Sequence, residues 1–167
     1  MNRNFLIISS GILLILSGTF SIFSIITVLY MSGYLLAFEL TEIGQRILMI
    51  FCLLQIITMT IISLTYLVFK SKVLLLGSTL TIIAFTLLLL EKTFTPINIG
   101  FVLLSLILLS TGFSGISHVL NSRLLDIASI LLILVLPIGE LLCGILLIYF
   151  RKRIEIHFTL LRKIGKS

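Results

Sequence analysis

Hydrophobic residues run along this chain in blocks too long for a water-soluble core. Uncharged stretches extend from Phe5 to Phe38, Ile47 to Phe69, Val73 to Leu90, Ile97 to Ser117 and Ile127 to Phe150. Each meets the roughly 18-residue minimum for crossing about 30 Å of hydrocarbon. In lipid every backbone N–H and C=O must be satisfied within its own segment, so such stretches are predicted to be α-helices. Charged punctuation divides them: Glu39, Glu42 and Arg46, then Lys70 and Lys72, then Glu91 and Lys92, then Arg123 and Asp126. Connections this short make consecutive helices antiparallel neighbours and leave no room for a soluble domain. The predicted fold is all-α: a polytopic transmembrane helix bundle of five spans over residues 1–150, with a basic amphipathic tail over residues 151–167. Four spans plus a re-entrant segment, placed in the fourth stretch, is the alternative.

The first stretch is longer than one crossing needs. Asn2, Arg3 and Asn4 make a weak positively charged start and the uncharged run exceeds a cleavable signal's apolar core, so the segment is expected to be retained. Its surplus is predicted to be taken up by tilt or by an interfacial end around Tyr30 to Phe38.

Composition agrees with the pattern. Hydrophobic residues make up 59% of the chain and charged residues 11%, where a soluble domain carries about 25% charged residues. The net charge of +6 is localised. Arg151, Lys152, Arg153, Arg162, Lys163 and Lys166 stand against Glu155 alone in the tail, which leaves the other 150 residues near neutrality. A short basic tail beside an apolar span reads as a topology signal and an anionic-lipid contact, not a nucleic-acid arm. Those six basic residues are the candidate lipid contacts. Glu155, Thr159, Arg162 and Lys166 share one helical face, and Ile154, Phe158, Leu160, Leu161 and Ile164 cover a broad opposite arc, which predicts a helix lying along the interface.

Five crossings place Arg46, Lys92 and the six tail residues on one side and Arg3, Lys70, Lys72 and Arg123 on the other, eight against four. The richer side is expected to be cytoplasmic and the N-terminus outside. The re-entrant alternative gives nine against three. Both place the tail inside, at what is expected to be the plasma membrane.

Glu140 is the one charged residue well inside a stretch, and an ionised carboxylate there costs several kcal/mol unless it meets protein, water or a proton. Pro137, Cys143 and Gly144 share its helical face and are narrow enough for another helix to approach. Two readings follow: a coupling site for a proton, a cation or an amine, or a hydrogen-bonding residue that holds helices together. Gln55 in the second stretch is its candidate partner, with Thr58, Thr60, Ser63 and Thr65 nearby. In the first stretch Ser10, Ser17, Ser21 and Ser24 lie on one face flanked by Gly11 and Gly18, which predicts close helix packing, with a polar solute path as the alternative.

The run Ser110–Thr111–Gly112–Phe113–Ser114–Gly115–Ile116–Ser117 is expected to be a crowded helix end or, alternatively, an unwound segment facing a cavity. His118 follows at the boundary, and Arg123 and Asp126 are spaced to pair along a helix, as are Glu39, Glu42 and Arg46. Cys52 and Cys143 lie in apolar runs far from any ligand-spaced Cys or His and are expected to pack as small hydrophobes.

The sequence has no CxxC, HExxH or GxSxG motif and no glycine-rich phosphate loop, so no catalytic residue, cofactor or metal is expected. The leading functional expectation is a non-enzymatic accessory or structural subunit that works through contacts with other membrane subunits or copies of itself. A small oligomeric transporter or channel using Glu140 comes second. A lipid- or quinone-modifying enzyme comes last.

Overall fold

The computed structural model describes residues 3–32, 37–91 and 96–164, and these residues are helical almost throughout. In chain order the helices are α1 (Arg3–Ser32), α2 (Ala37–Leu64), the single turn α3 (Tyr66–Phe69), α4 (Lys72–Glu91), α5 (Pro96–Leu120), α6 (Arg123–Leu134) and α7 (Leu136–Ile164). Four windows within them are long and apolar enough to cross a membrane: Asn4–Ser24, Gly44–Leu64, Lys72–Leu90 and Ile99–Leu120.

Apolar side chains cover the outside of the bundle as well as filling much of its core, and buried polar groups lie among them. Phe5, Leu16, Leu53, Leu76, Leu103 and Tyr149 face outward. Ser10, Ser17, Gln55, Thr58, Ser78, Ser105 and Glu140 are fully buried. Most buried hydroxyls return to their own helix, as Ser10 does to the Ile7 carbonyl (3.0 Å), Thr58 to Leu54 (2.8 Å) and Ser105 to Val102 (2.8 Å). That local bond satisfies a hydroxyl without needing water. An apolar exterior around a hydrogen-bonded interior is the arrangement lipid selects.

The helices close into a ring in which α1 lies between α2 and α7, α4 between α2 and α5, and α6 between α5 and α7. Both sharp corners at one end use left-handed residues: Lys70 (φ 55°) between α3 and α4, and Asn121 (φ 50°) between α5 and α6. Ser122 then caps α6, accepting from the Leu125 N–H at 3.3 Å.

The fifth stretch departs from expectation. It is not one straight helix over 127–150, because Val135 leaves the helical region (φ −142°, ψ 78°) and separates α6 from α7. The chain doubles back there. A Cβ on Gly139 would meet the backbone of Leu131 and Leu132, so α7 returns along α6 in near-backbone contact that only glycine permits. Pro137 sits in the first turn of α7, where its missing N–H costs no helical bond. Ile154 of α7 accordingly lines a cavity with Val119 and Leu120 at the end of α5. At 1.5 Å per residue α6 reaches only about 18 Å before the turn, short of the roughly 30 Å hydrocarbon thickness.

The small-residue run of the fourth stretch stays helical within α5, which corrects the unwound alternative: Gly112 lies against the Leu74 backbone of α4 as part of a crowded interface. The tail backbone continues α7 to Ile164 rather than starting a separate helix. Lys166, Lys92 and part of the expected interfacial end of the first stretch lie outside the described residues. The side chains of Glu39, Glu42, Arg162 and Lys163 also lie outside the described ones, and with them the predicted pairing of Glu39 and Glu42 with Arg46.

Candidate functional site

Glu140 stands in the second turn of α7, just beyond the hairpin turn at Val135, and is completely buried. Its two oxygens are held from two other helices. Gln55 of α2 donates from Nε2 to Oε1 at 2.7 Å, and the Ser17 hydroxyl of α1 donates to Oε2 at 3.0 Å. The same Gln55 Nε2 also donates to Ser17 Oγ at 2.9 Å. Three residues far apart in sequence thus form a closed triangle that ties α1, α2 and α7 together. Both residues singled out from sequence, Glu140 and Gln55, are in it. The spacing puts Ser17 on a packing face, with a polar solute path as the alternative, and nothing in it marks which of the four serines meets the acid.

Glycine contacts hold the triangle in place on both sides. Toward the hairpin turn, a Cβ on Gly18 would stand 2.5 Å from the Pro137 carbonyl oxygen. Toward the basic end, one on Gly144 would stand 2.5 Å from the Gly11 carbonyl oxygen. The face formed by Pro137, Glu140, Cys143 and Gly144 therefore receives α1, whose Ser10, Ser17 and Ser21 are all buried. Close approach is what sets hydroxyl and carboxyl within bonding distance. Cys143 and Cys52 are free and buried, as packing residues would be. Thr58 and Thr65 are buried but bond back to Leu54 and Ile62, so that cluster does not join the acid.

The Ser17 hydroxyl suits either charge state of the acid. It donates to an ionised carboxylate, and by rotating it accepts from a protonated one while Gln55 keeps both its bonds. One atom remains unsatisfied: Gln55 Oε1 is buried with no hydrogen-bond partner. Ser17, Gln55 and Glu140 line neither the cavity beside Arg46, Cys52 and Leu88 nor the one beside Phe69, Leu120 and Ile154.

Asp126 behaves differently from expectation. Its carboxylate does not pair along α6 with Arg123. It reaches across to α5, accepting from Ser114 Oγ at 2.6 Å and Ser117 Oγ at 3.3 Å. At this boundary corner the Ser114 bond is the main cause holding its pKa below the ordinary value of 3.8, opposed by partial burial and assisted by Ser117 and by the nearby His118. His118 itself is exposed.

Of the basic tail, Arg151, Lys152 and Arg153 are exposed on the last described turns of side chain in α7, and the Arg153 guanidinium lies 5.7 Å from the centre of the Phe150 ring. Among the described residues no group of three or more His, Cys, Asp or Glu is placed to hold a metal. The chain matches no protein-family model, no curated protein and no solved structure.

Proposed function

We propose that this protein is a small non-enzymatic integral membrane protein that acts through helix packing, as an accessory or structural subunit of a membrane assembly. The observation that carries this reading is the Ser17–Gln55–Glu140 triangle, buried between two glycine contacts. A carboxyl bound from two helices and clasped by backbone on either side is organised to hold a shape. Gentle detergent purification followed by identification of co-purifying proteins tests it. A stoichiometric membrane partner is the expected result, and a homo-oligomer that alone supports solute flux would overturn it.

The membrane placement follows from the same packing. Four helices cross, and α6 with the first half of α7 forms a re-entrant hairpin. A five-crossing chain would need residues 123 and 150 at opposite ends of the bundle, whereas α7 returns beside α6. Arg3, Lys70, Lys72, Arg123 and the six tail residues then share one side, leaving Arg46 and Lys92 on the other. Ten against two, from the 12 Lys and Arg of the chain, is a sharper bias than the eight against four of five crossings. The basic side is cytoplasmic in this proposal, with both termini inside and the tail on the inner leaflet of the plasma membrane.

A second reading rests on Gln55 Oε1. A buried acceptor without a donor, beside a carboxyl, is what an amine or a hydrated cation would complete. In this reading Glu140 is the coupling group of a small oligomeric transporter or channel.

A further inference from the structure

The basic end of the bundle contains a cavity of about 170 Å³, bounded by Phe69 and Ser71 at the α3–α4 corner, Gly115, Ile116, Val119 and Leu120 on α5, and Ile154 on α7. Its walls are apolar except for Ser71. Three exposed cations adjoin its lining residues along the chain: Lys70, whose ammonium lies 5.4 Å from the centre of the Tyr66 ring, and Lys72 flank Ser71, and Arg153 precedes Ile154. An apolar slot beside exposed cations has the two chemistries that an anionic phospholipid presents.

Gly115 supplies an independent observation. Glycine is among the least favoured residues in a helix interior, and most glycines here compensate by packing. Gly11, Gly18, Gly77, Gly112, Gly139 and Gly144 each lie so close to another backbone that a Cβ would collide. Around Gly115 nothing lies within 4 Å of the Cβ position. Gly44 and Gly100 are equally open, but neither lines a described cavity. Gly115 lines the slot, and a Cβ there would meet no protein atom within 4 Å, so the space beside it is one that the protein itself does not fill.

We propose that this slot binds one anionic phospholipid, an acyl chain lying beside Gly115 and Ile116 and the phosphate held by Lys70, Lys72 and Arg153. The proposal rests on the membrane placement given above but not on the subunit role, because lipid retention is read on the isolated protein whatever its partners. The full chain is purified in detergent, exchanged into phosphatidylglycerol or phosphatidylcholine micelles, and examined by native mass spectrometry for retained lipid. Wild type is expected to retain one phosphatidylglycerol and to discriminate against phosphatidylcholine. Gly115→Leu fills the slot without removing a charge and should abolish retention. Combined Lys70→Gln, Lys72→Gln and Arg153→Gln should lower the preference for phosphatidylglycerol by about tenfold or more. Arg46→Gln should leave retention unchanged, since Arg46 lies near the start of α2, at the opposite end of the bundle from the slot. Circular dichroism and thermal melting establish that each variant is folded. Undiminished retention in folded Gly115→Leu, equal retention of both lipids by wild type, or loss in Arg46→Gln alone would overturn the proposal.

Discussion

Replacing Gly139 by alanine tests the hairpin on which the membrane placement depends. The added Cβ would stand 2.6 Å from the Leu131 carbonyl carbon and from Leu132 Cα, and closer still to the Leu132 nitrogen. All three are backbone atoms, so no side chain can rotate away and α6 and α7 must separate. Overpacking of this kind costs about 1–3 kcal/mol. Alanine recovers about 1 kcal/mol of helix propensity, which leaves a net loss of about 0–2 kcal/mol. Gly115→Ala is the matched control. It has the same chemistry and open space around the new methyl, so it should be neutral or stabilising by up to about 1 kcal/mol. Reversible unfolding in mixed micelles, with both variants measured against wild type, reads the difference. If Gly139→Ala were as stable as Gly115→Ala, the two helices would not meet at that point, and the chain would be running on through Val135 as a single span.

Two further outcomes follow. Reporter fusions after residues 4, 71, 122 and 167 should all report the cytoplasm, and fusions after 44 and 94 the opposite side; opposite compartments for 4 and 167 would restore five crossings. At the α5–α6 corner the Asp126 pKa is lowered by folding, so its stabilisation is fully present above the ordinary value of 3.8 and is lost as pH falls through the depressed folded value. Asp126→Asn should therefore remove part of the acid-side loss of stability, and an identical acid limb in the variant would show that the Ser114 and Ser117 bonds carry none of it.

Much of this architecture is legible in the sequence because lipid simplifies the rules. Uncharged length marks five stretches, four of which hold helices long and apolar enough to cross a membrane, and helical spacing alone predicts that the face of Pro137, Glu140, Cys143 and Gly144 receives another helix. It also places Gly11 and Gly18 on a packing face. Hydropathy cannot register the break at Val135: Leu-Val-Leu-Pro is as apolar as its surroundings, and proline marks a helix start as readily as a kink. The sequence places its re-entrant alternative in the fourth stretch, where small residues weaken propensity, yet there tertiary packing on Leu74 keeps α5 intact. Asp126 was assigned to Arg123 because spacing along one helix is visible in a sequence, whereas its serine partners belong to the neighbouring helix. Ser17 was hidden for the same reason, since choosing it among four serines requires the crossing point of α1 on α7.

The role of the triangle is tested most directly by comparing Glu140→Gln with Glu140→Leu in the purified protein. Glutamine keeps an acceptor for Gln55 and offers a donor to Ser17, so a clasp survives it with a change under about 1 kcal/mol. Leucine strands buried polar groups on two helices, each hydrogen bond within a membrane being worth about 0.6 kcal/mol and up to about 1.7. It should therefore destabilise the bundle by about 1–3 kcal/mol. Folding and assembly maintained in Glu140→Gln and weakened in Glu140→Leu is the result predicted here. A well-folded Glu140→Gln protein that loses a pH-dependent flux shown by the wild type would contradict it and establish Glu140 as a coupling carboxyl.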